Sequence, residues 1–231
     1  MKTMNKILLT ATCLVFCFLQ GKAQTKDSLM TVEETIQFVQ RTYIDAVPPE
    51  AIAMSKRANP AAKEKLHQIL NDPTRQDIWP QVIGAFAYMG DRTDVAKMEN
   101  FLRKRQGVLS SAEYSAVVML FIAYGGMGER GVHDAKVKLK QMMKPDYWRN
   151  NKFNAYARQP AGYPAAENQM RLFALHGYAY TLSDDFDQVA LELVTSTTDA
   201  NDKKILVQKV KEASRMNTEY KTYMLKSKSD H

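Results

Sequence analysis

Histidines His67, His133, His176 and His231 are the side chains whose chemistry best suits proton transfer or metal binding near neutral pH. No two of them fall at His-x-x-x-His or His-Glu-x-x-His spacing. His176 stands among Phe173, Ala174, Leu175, Tyr178 and Ala179, which suits a hydrogen-bonded core residue better than a ligand. His133 lies beside an expected helix start. Asp184, Asp185 and Asp187 lack the spacing and the glycine of an EF-hand loop, and helix capping accounts for them. Gly125, Gly126, Gly128 and Gly131 follow no strand and precede no Gly-Lys-Ser or Gly-Lys-Thr, so they read as a helix end and turn rather than a phosphate cradle. No Gly-x-Ser-x-Gly elbow occurs. No catalytic, cofactor-binding or metal-ligating residue is assigned, and the chain reads as a non-enzyme. The competing reading is an enzyme of unrecognised type with a pocket near His133 or His176.

Recognition chemistry gathers in one place. Between Tyr147 and Tyr163 five aromatics fall in 17 residues: Tyr147, Trp148, Phe153, Tyr156 and Tyr163. Residues 134–158 hold Lys136, Lys138, Lys140, Lys144, Arg149, Lys152 and Arg158 against Asp134 and Asp146, a net +5. Aromatic faces stack on sugar rings or hold cations, and Arg and Lys pair with carboxylates or phosphates. Candidate partner-binding residues are therefore Tyr147, Arg149, Lys152, Tyr156, Arg158 and Tyr163. The competing reading makes the segment a cover loop whose aromatics, Trp148 and Phe153 first, plug a groove; Arg149 to Lys152 then face water.

The first 23 residues read as a secretory signal. Lys2 and Lys6 give a basic start, Ile7 to Leu19 a short apolar run, and Gly21-Lys22-Ala23 a small-residue cleavage site. The run is too short to span a membrane comfortably. Cleavage after Ala23 removes both cysteines, Cys13 and Cys17, and three lysines; 29 cations then face 25 acids, a net +4. The expected location is exported, periplasmic or secreted. That location, with no helix-turn-helix or aromatic RNA-binding sheet in the pattern, sets nucleic acid aside as a partner despite a pI near 9.2. After cleavage no membrane span is expected, and the oligomeric state stays open.

The elements that must position these residues are helices. Thr31 and Glu34 form a capping box ahead of Ile36, Val39 and Tyr43. Pro48-Pro49 ends that segment, and a second helix is expected to about Arg57. Pro60 opens a third with Ala62, Leu66, Ile69 and Leu70 as its stripe, and Asn71-Asp72-Pro73 turns the chain. Ile78, Val82, Phe86 and Met89 share a face, with Asp77 as cap and Pro80 in the first turn. After Gly90-Asp91 come Val95, Met98 and Leu102. Ser110 or Ser111 caps a helix whose run Ala116 to Tyr124 is nine non-polar residues long, which places it at the centre. Ala135, Leu139, Met142 and Met143 make the next stripe. Pro145, Pro160, Gly162 and Pro164 mark a loop insertion at about 144–166. Helix resumes near Ala165 and runs to Leu182. Asp184 or Asp185 caps a helix with Phe186, Val189, Ala190, Leu193 and Val194; Thr198, Asp199 or Asn201 caps the last. Residues 226–231 read as a frayed polar tail.

Parts of this pattern repeat. Phe86-Ala87-Tyr88 matches Ile122-Ala123-Tyr124 and Tyr178-Ala179-Tyr180, and Gly90-Asp91 matches Gly128-Glu129 and, less closely, Ser183-Asp184. The unit from Leu66 through Asp72-Pro73 to Leu102 resembles a HEAT-type helical repeat, over residues 60–143 most closely. The resemblance implies an all-α fold, an α-solenoid of stacked antiparallel helix pairs with about four repeats and an N-terminal helical segment, in one domain over 24–225. It also implies a binding or scaffolding module without shared catalytic residues. The expected partner is a protein or an acidic envelope polymer, and a purely structural subunit of an envelope assembly is the remaining alternative.

Overall fold

A computed structural model describes residues 29–41, 59–105, 107–150, 153–154 and 164–229. The expected signal, Tyr43 and the helix expected at Pro49–Arg57 lie outside them. The fold is all-α. Its helices are α1 (Val32–Arg41), α2 (Pro60–Asn71), α3 (Trp79–Met89), α4 (Arg92–Arg103), α5 (Ser111–Glu129), α6 (His133–Met142), α7 (Pro145–Asn150), α8 (Ala166–Tyr180), α9 (Phe186–Thr195) and α10 (Ala200–Ser229). A 3₁₀ turn, Pro73–Ile78, joins α2 to α3. Two short strands, β1 (Gly107–Val108) and β2 (Phe153–Asn154), pair in parallel.

Local chemistry sets most starts. Thr31 and Glu34 exchange hydrogen bonds as a capping box. Asn59, Asp91 and Ser110 cap α2, α4 and α5, the last two with reciprocal bonds from Asp94 and Glu113. Asp199 caps α10 through the Asp202 N–H. Pro80 does sit in the first turn of α3, but Ile78 rather than Asp77 holds the cap position, without a side-chain bond. Asp185 precedes α9 without capping it, because its carboxylate is taken by Tyr178 and Lys140. The segment read as a polar tail is helical as far as Ser229.

The contacts sort the helices into two rows. Helices α3, α5, α8 and α10 each touch the next. Helices α2, α4 and α6 do likewise, and α9 is tied to α6 by the Lys140–Asp185 ion pair. The core lies between the rows, with Phe86, Leu120, Phe121, Tyr124, Leu139 and Leu175 fully buried. Helix α5 occupies the middle, as its apolar run requires, although Val118, Met119 and Ile122 keep partial exposure.

The glycine cluster departs from expectation. Helix α5 runs straight through Gly125, Gly126 and Gly128 and ends only at Arg130. Gly131, at φ +90°, then closes a Schellman cap, with its N–H bonding Gly128 O at 3.1 Å and the Val132 N–H bonding Met127 O at 2.9 Å. The inner glycines serve close approach instead. A Cβ on Gly126 would meet Ala87 O of α3 at 2.7 Å, and one on Gly125 would meet Gly177 O of α8 at 2.5 Å. Helix α5 is therefore pressed between two neighbours at backbone distance. The repeat break matched at Gly128-Glu129 falls two residues later.

Candidate functional site

Among the described residues, grooves open between successive members of the α2–α4–α6–α9 row. The first, about 220 Å³, lies between α2 and α4 and includes His67, Leu70, Phe101 and Lys104. The second, about 260 Å³, lies between α4 and α6 and includes Arg92, Glu99 and Val137. The third, about 420 Å³, lies between α6 and α9 and includes Val137, Lys144, Val189 and Glu192. Val137 lines two of them and is 39% exposed.

Ion pairs cross each groove. Lys63 of α2 bonds Asp91 and Asp94 at the start of α4, and Lys97 of α4 returns to Glu64 at 2.9 Å. Arg92 reaches Asp134 at 2.7 Å, and Lys138 reaches Glu99 at 2.7 Å, both between α4 and α6. Lys140 pairs with Asp185 ahead of α9, where Tyr178 also donates to the carboxylate at 2.6 Å. Burial works against the Glu99 carboxylate, yet Lys138 and Arg103 hold it below the ordinary range. Hydrogen bonds from Lys140 and Tyr178 hold Asp185 low as well. Burial alone would depress the Lys63 ammonium, and its two aspartates outweigh that and raise it.

These pairs change the electrostatic reading of residues 134–158. Lys138, Lys140 and Arg149 find acids far away in sequence, Glu99, Asp185 and Glu167. Three of the seven cations of that stretch are thus matched by acids from elsewhere in the chain.

The insertion is partly ordered structure. Pro145–Asn150 forms α7, and Trp148 is a buried anchor, 2% exposed, whose indole N–H donates to Met142 O at 2.8 Å. Its ring meets Phe121 at 5.9 Å and Tyr147 at 5.0 Å. Tyr147 is half-buried; burial, with Glu99 nearby, pushes its hydroxyl up to about 12. Arg149 faces outward, 61% exposed, and bonds Glu167 at 2.9 Å. Lys152, Tyr156, Arg158 and Tyr163 lie outside the described residues. The insertion's return is pinned by the buried Asp202, which accepts from Ala165 N at 3.0 Å and Asn168 Nδ2 at 2.8 Å. Beside it, the buried Arg171 spreads its guanidinium over five acceptors: Met143 O, Asn168 Oδ1, Thr197 Oγ1, Leu193 O and Ser196 Oγ. That bond set ties α8 to the ends of α6 and α9.

The structure separates the histidines further. His133 is exposed at the start of α6. His176 has its Nε2 buried without a hydrogen-bond partner, contrary to the expected bonded core residue, and burial lowers its pKa. Neither lines the three grooves. His67, which no spacing rule singled out, is buried with Nε2 2.7 Å from Asp94 Oδ1 and its ring stacked 4.5 Å from Phe86. A signal was present: Lys63, His67 and Leu70 share one face of α2, and Asp94 is the fourth residue of a capping box. Among the described residues no three His, Cys, Asp or Glu side chains converge as metal ligands. No described helix is long and apolar enough to cross a membrane.

Comparison with known proteins found no matching family model, no similar curated protein and no similar solved structure.

Proposed function

We propose that the chain is an exported, non-catalytic HEAT-like α-solenoid of about four helix pairs that docks a protein partner along the α2–α4–α6–α9 row. The alignment of three grooves on that one row is the observation that supports this reading. Concave clefts between helices are common sites of recognition, and loops or rows on a rigid scaffold commonly carry it. The pairing of Lys138, Lys140 and Arg149 favours a protein over an acidic envelope polymer. A polyanion gains its affinity from unpaired cations, and here three of the seven cations of the basic stretch are already engaged by the scaffold's own acids. Within the insertion, Arg149 remains at the surface, and Trp148 belongs to the core.

The test places a photo-crosslinker on Val137→Cys, between two grooves, and on Val207→Cys, exposed on α10. Mixed with an envelope fraction, the first should form a defined partner adduct and the second should not. Adducts from Val207 alone, or none from Val137, would overturn the assignment of the docking row.

A further inference from the structure

We infer that the outward face of α10 lies against an anionic lipid bilayer, held there by Lys203, Lys204, Lys211 and Lys221 with Val207 and Leu225 between them. This face belongs to the row opposite the proposed docking grooves and does not depend on them.

Helix α10 carries eight Lys or Arg residues against three acids, a net +5. One side of it is packed. Asp202 accepts from Ala165 N and Asn168 at the start of α8, the Asn217 side-chain amide donates to Ala179 O at 2.7 Å, and Tyr220 meets Tyr180 edge-on at 5.3 Å. Leu206 and Ala213 are fully buried along the same side.

The other side is bare among the described residues. Lys203, Lys204, Val207, Lys211, Thr218 and Leu225 are exposed, Val207 at 42% and Leu225 at 71%, and Lys221 is half-buried. Val207 and Leu225 are 18 residues apart. At about 3.6 residues per turn that is about five full turns, so the two stand on one line along the helix, about 27 Å apart. Lys203 and Lys221, at the same separation, flank that line on one side, and Lys204 and Lys211 flank it on the other. None of these four lysines has an ion pair among the described residues, whereas Lys209 pairs with Glu212 and Arg215 with Glu219. Those two glutamates sit about a third of a turn round from the line, and Asp202 is buried on the inner side.

A straight row of unengaged cations with apolar side chains along its midline complements a flat anionic headgroup surface. Each lysine gains from the negative surface potential. Val207 and Leu225 enter the headgroup boundary between ammonium groups whose long stems reach back to phosphate level. A protein partner fits this face less well, because lysine is depleted at the core of protein interfaces. A soluble polyanion would engage the lysines and leave Leu225 idle. With two apolar side chains and no helix long and apolar enough to span, the contact is peripheral and salt-sensitive.

The probes are vesicles of phosphatidylcholine alone and of phosphatidylcholine with about 30% phosphatidylglycerol, sedimented with the full chain. The anionic vesicles should bind it saturably, and the neutral ones, which report whatever the rest of the chain contributes, should bind at least about tenfold more weakly. Raising the salt from about 0.1 M to about 0.5 M should release most of the bound chain. Lys204→Gln/Lys211→Gln should weaken binding by about 25-fold, about fivefold per lysine, with an unchanged melt because glutamine keeps the helix propensity of lysine. The charge-matched control Lys65→Gln/Arg75→Gln, outside α10, should change binding by less than about twofold. Leu225→Ser should weaken it by about fivefold. Equal binding to both vesicles, an equal loss in the control pair, or wild-type binding by Leu225→Ser would overturn the inference. Polyphosphate bound as tightly as the anionic vesicles would give the face to a soluble polyanion and overturn it too. A crosslinker at Val207 would meet lipid here and form no defined protein adduct. Vesicle binding without an adduct from Val137→Cys would keep this face and remove the docking row; the converse would remove only this face.

Discussion

Replacing Trp148 by alanine separates a structural anchor from a recognition aromatic. The side chain is 2% exposed, packs on Phe121 and Tyr147, and donates its indole N–H to Met142 O. Truncating a buried tryptophan costs about 3–5 kcal/mol from lost transfer energy and the cavity left behind. The lost hydrogen bond leaves the Met142 carbonyl short of a donor, which keeps the value from the low end of that range, at about 4 kcal/mol. For a domain of this size each kcal/mol lowers the melting temperature by about 2–4 °C, so Trp148→Ala should melt about 8–16 °C below wild type. The internal control is Arg149→Ala, next in sequence. Its side chain is 61% exposed and its ion pairs with Asp146 and Glu167 lie at the surface, so the change should cost under about 1 kcal/mol. Differential scanning calorimetry of the three proteins at one pH and concentration reads the result. A Trp148→Ala melt within about 2 °C of wild type would refute the anchor, because burial of that ring carries the whole estimate.

Two further outcomes follow from the packing and the charges. A Cβ on Gly177 would collide with the Phe121 carbonyl of α5, whereas one on Gly131 meets nothing within 4 Å and only strains a φ of +90°. Gly177→Ala should therefore cost about 3 kcal/mol and Gly131→Ala about 1 kcal/mol, and urea melts giving the reverse order would sink the close-approach account. Burial depresses the His176 pKa, with Glu212 and Lys209 of α10 exerting smaller opposing influences. The unfolded chain then binds the proton first, so the contribution of His176 is complete above the ordinary histidine value and is lost as pH falls through its folded value. His176→Leu should show a smaller drop in melting temperature between pH 7 and pH 5 than wild type, and an identical drop would remove His176 from the acid response.

Most helices were legible residue by residue, because they depend on periods and caps that act within a few positions; α7 was not, since its Pro145 opens a segment that reads as a loop. The stripe Ala62, Leu66, Ile69 and Leu70 is buried as its spacing requires. Asp91, Ser110 and Asp199 cap the helices they precede. The proline in the first turn of α3 and the central place of α5 also follow from local composition and hydrophobicity. Even the anchor role of Trp148 could be weighed in advance, since a long ordered loop needs something to bury.

What only the tertiary structure decided is which distant groups meet. Gly125, Gly126 and Gly128 look like a helix end in one dimension; their use appears when Ala87, Gly177 and Thr181 are brought against them from other helices. Lys138, Lys140 and Arg149 look like an open basic patch until Glu99, Asp185 and Glu167 arrive from 18 to 45 residues away. His67 looks solitary until α4 carries Asp94 to it across 27 residues. In each case the deciding interaction is short-ranged in space and long-ranged in sequence. Coulomb pairing and backbone approach act over a few ångströms, and sequence spacing within one helix cannot report what a neighbouring helix places there.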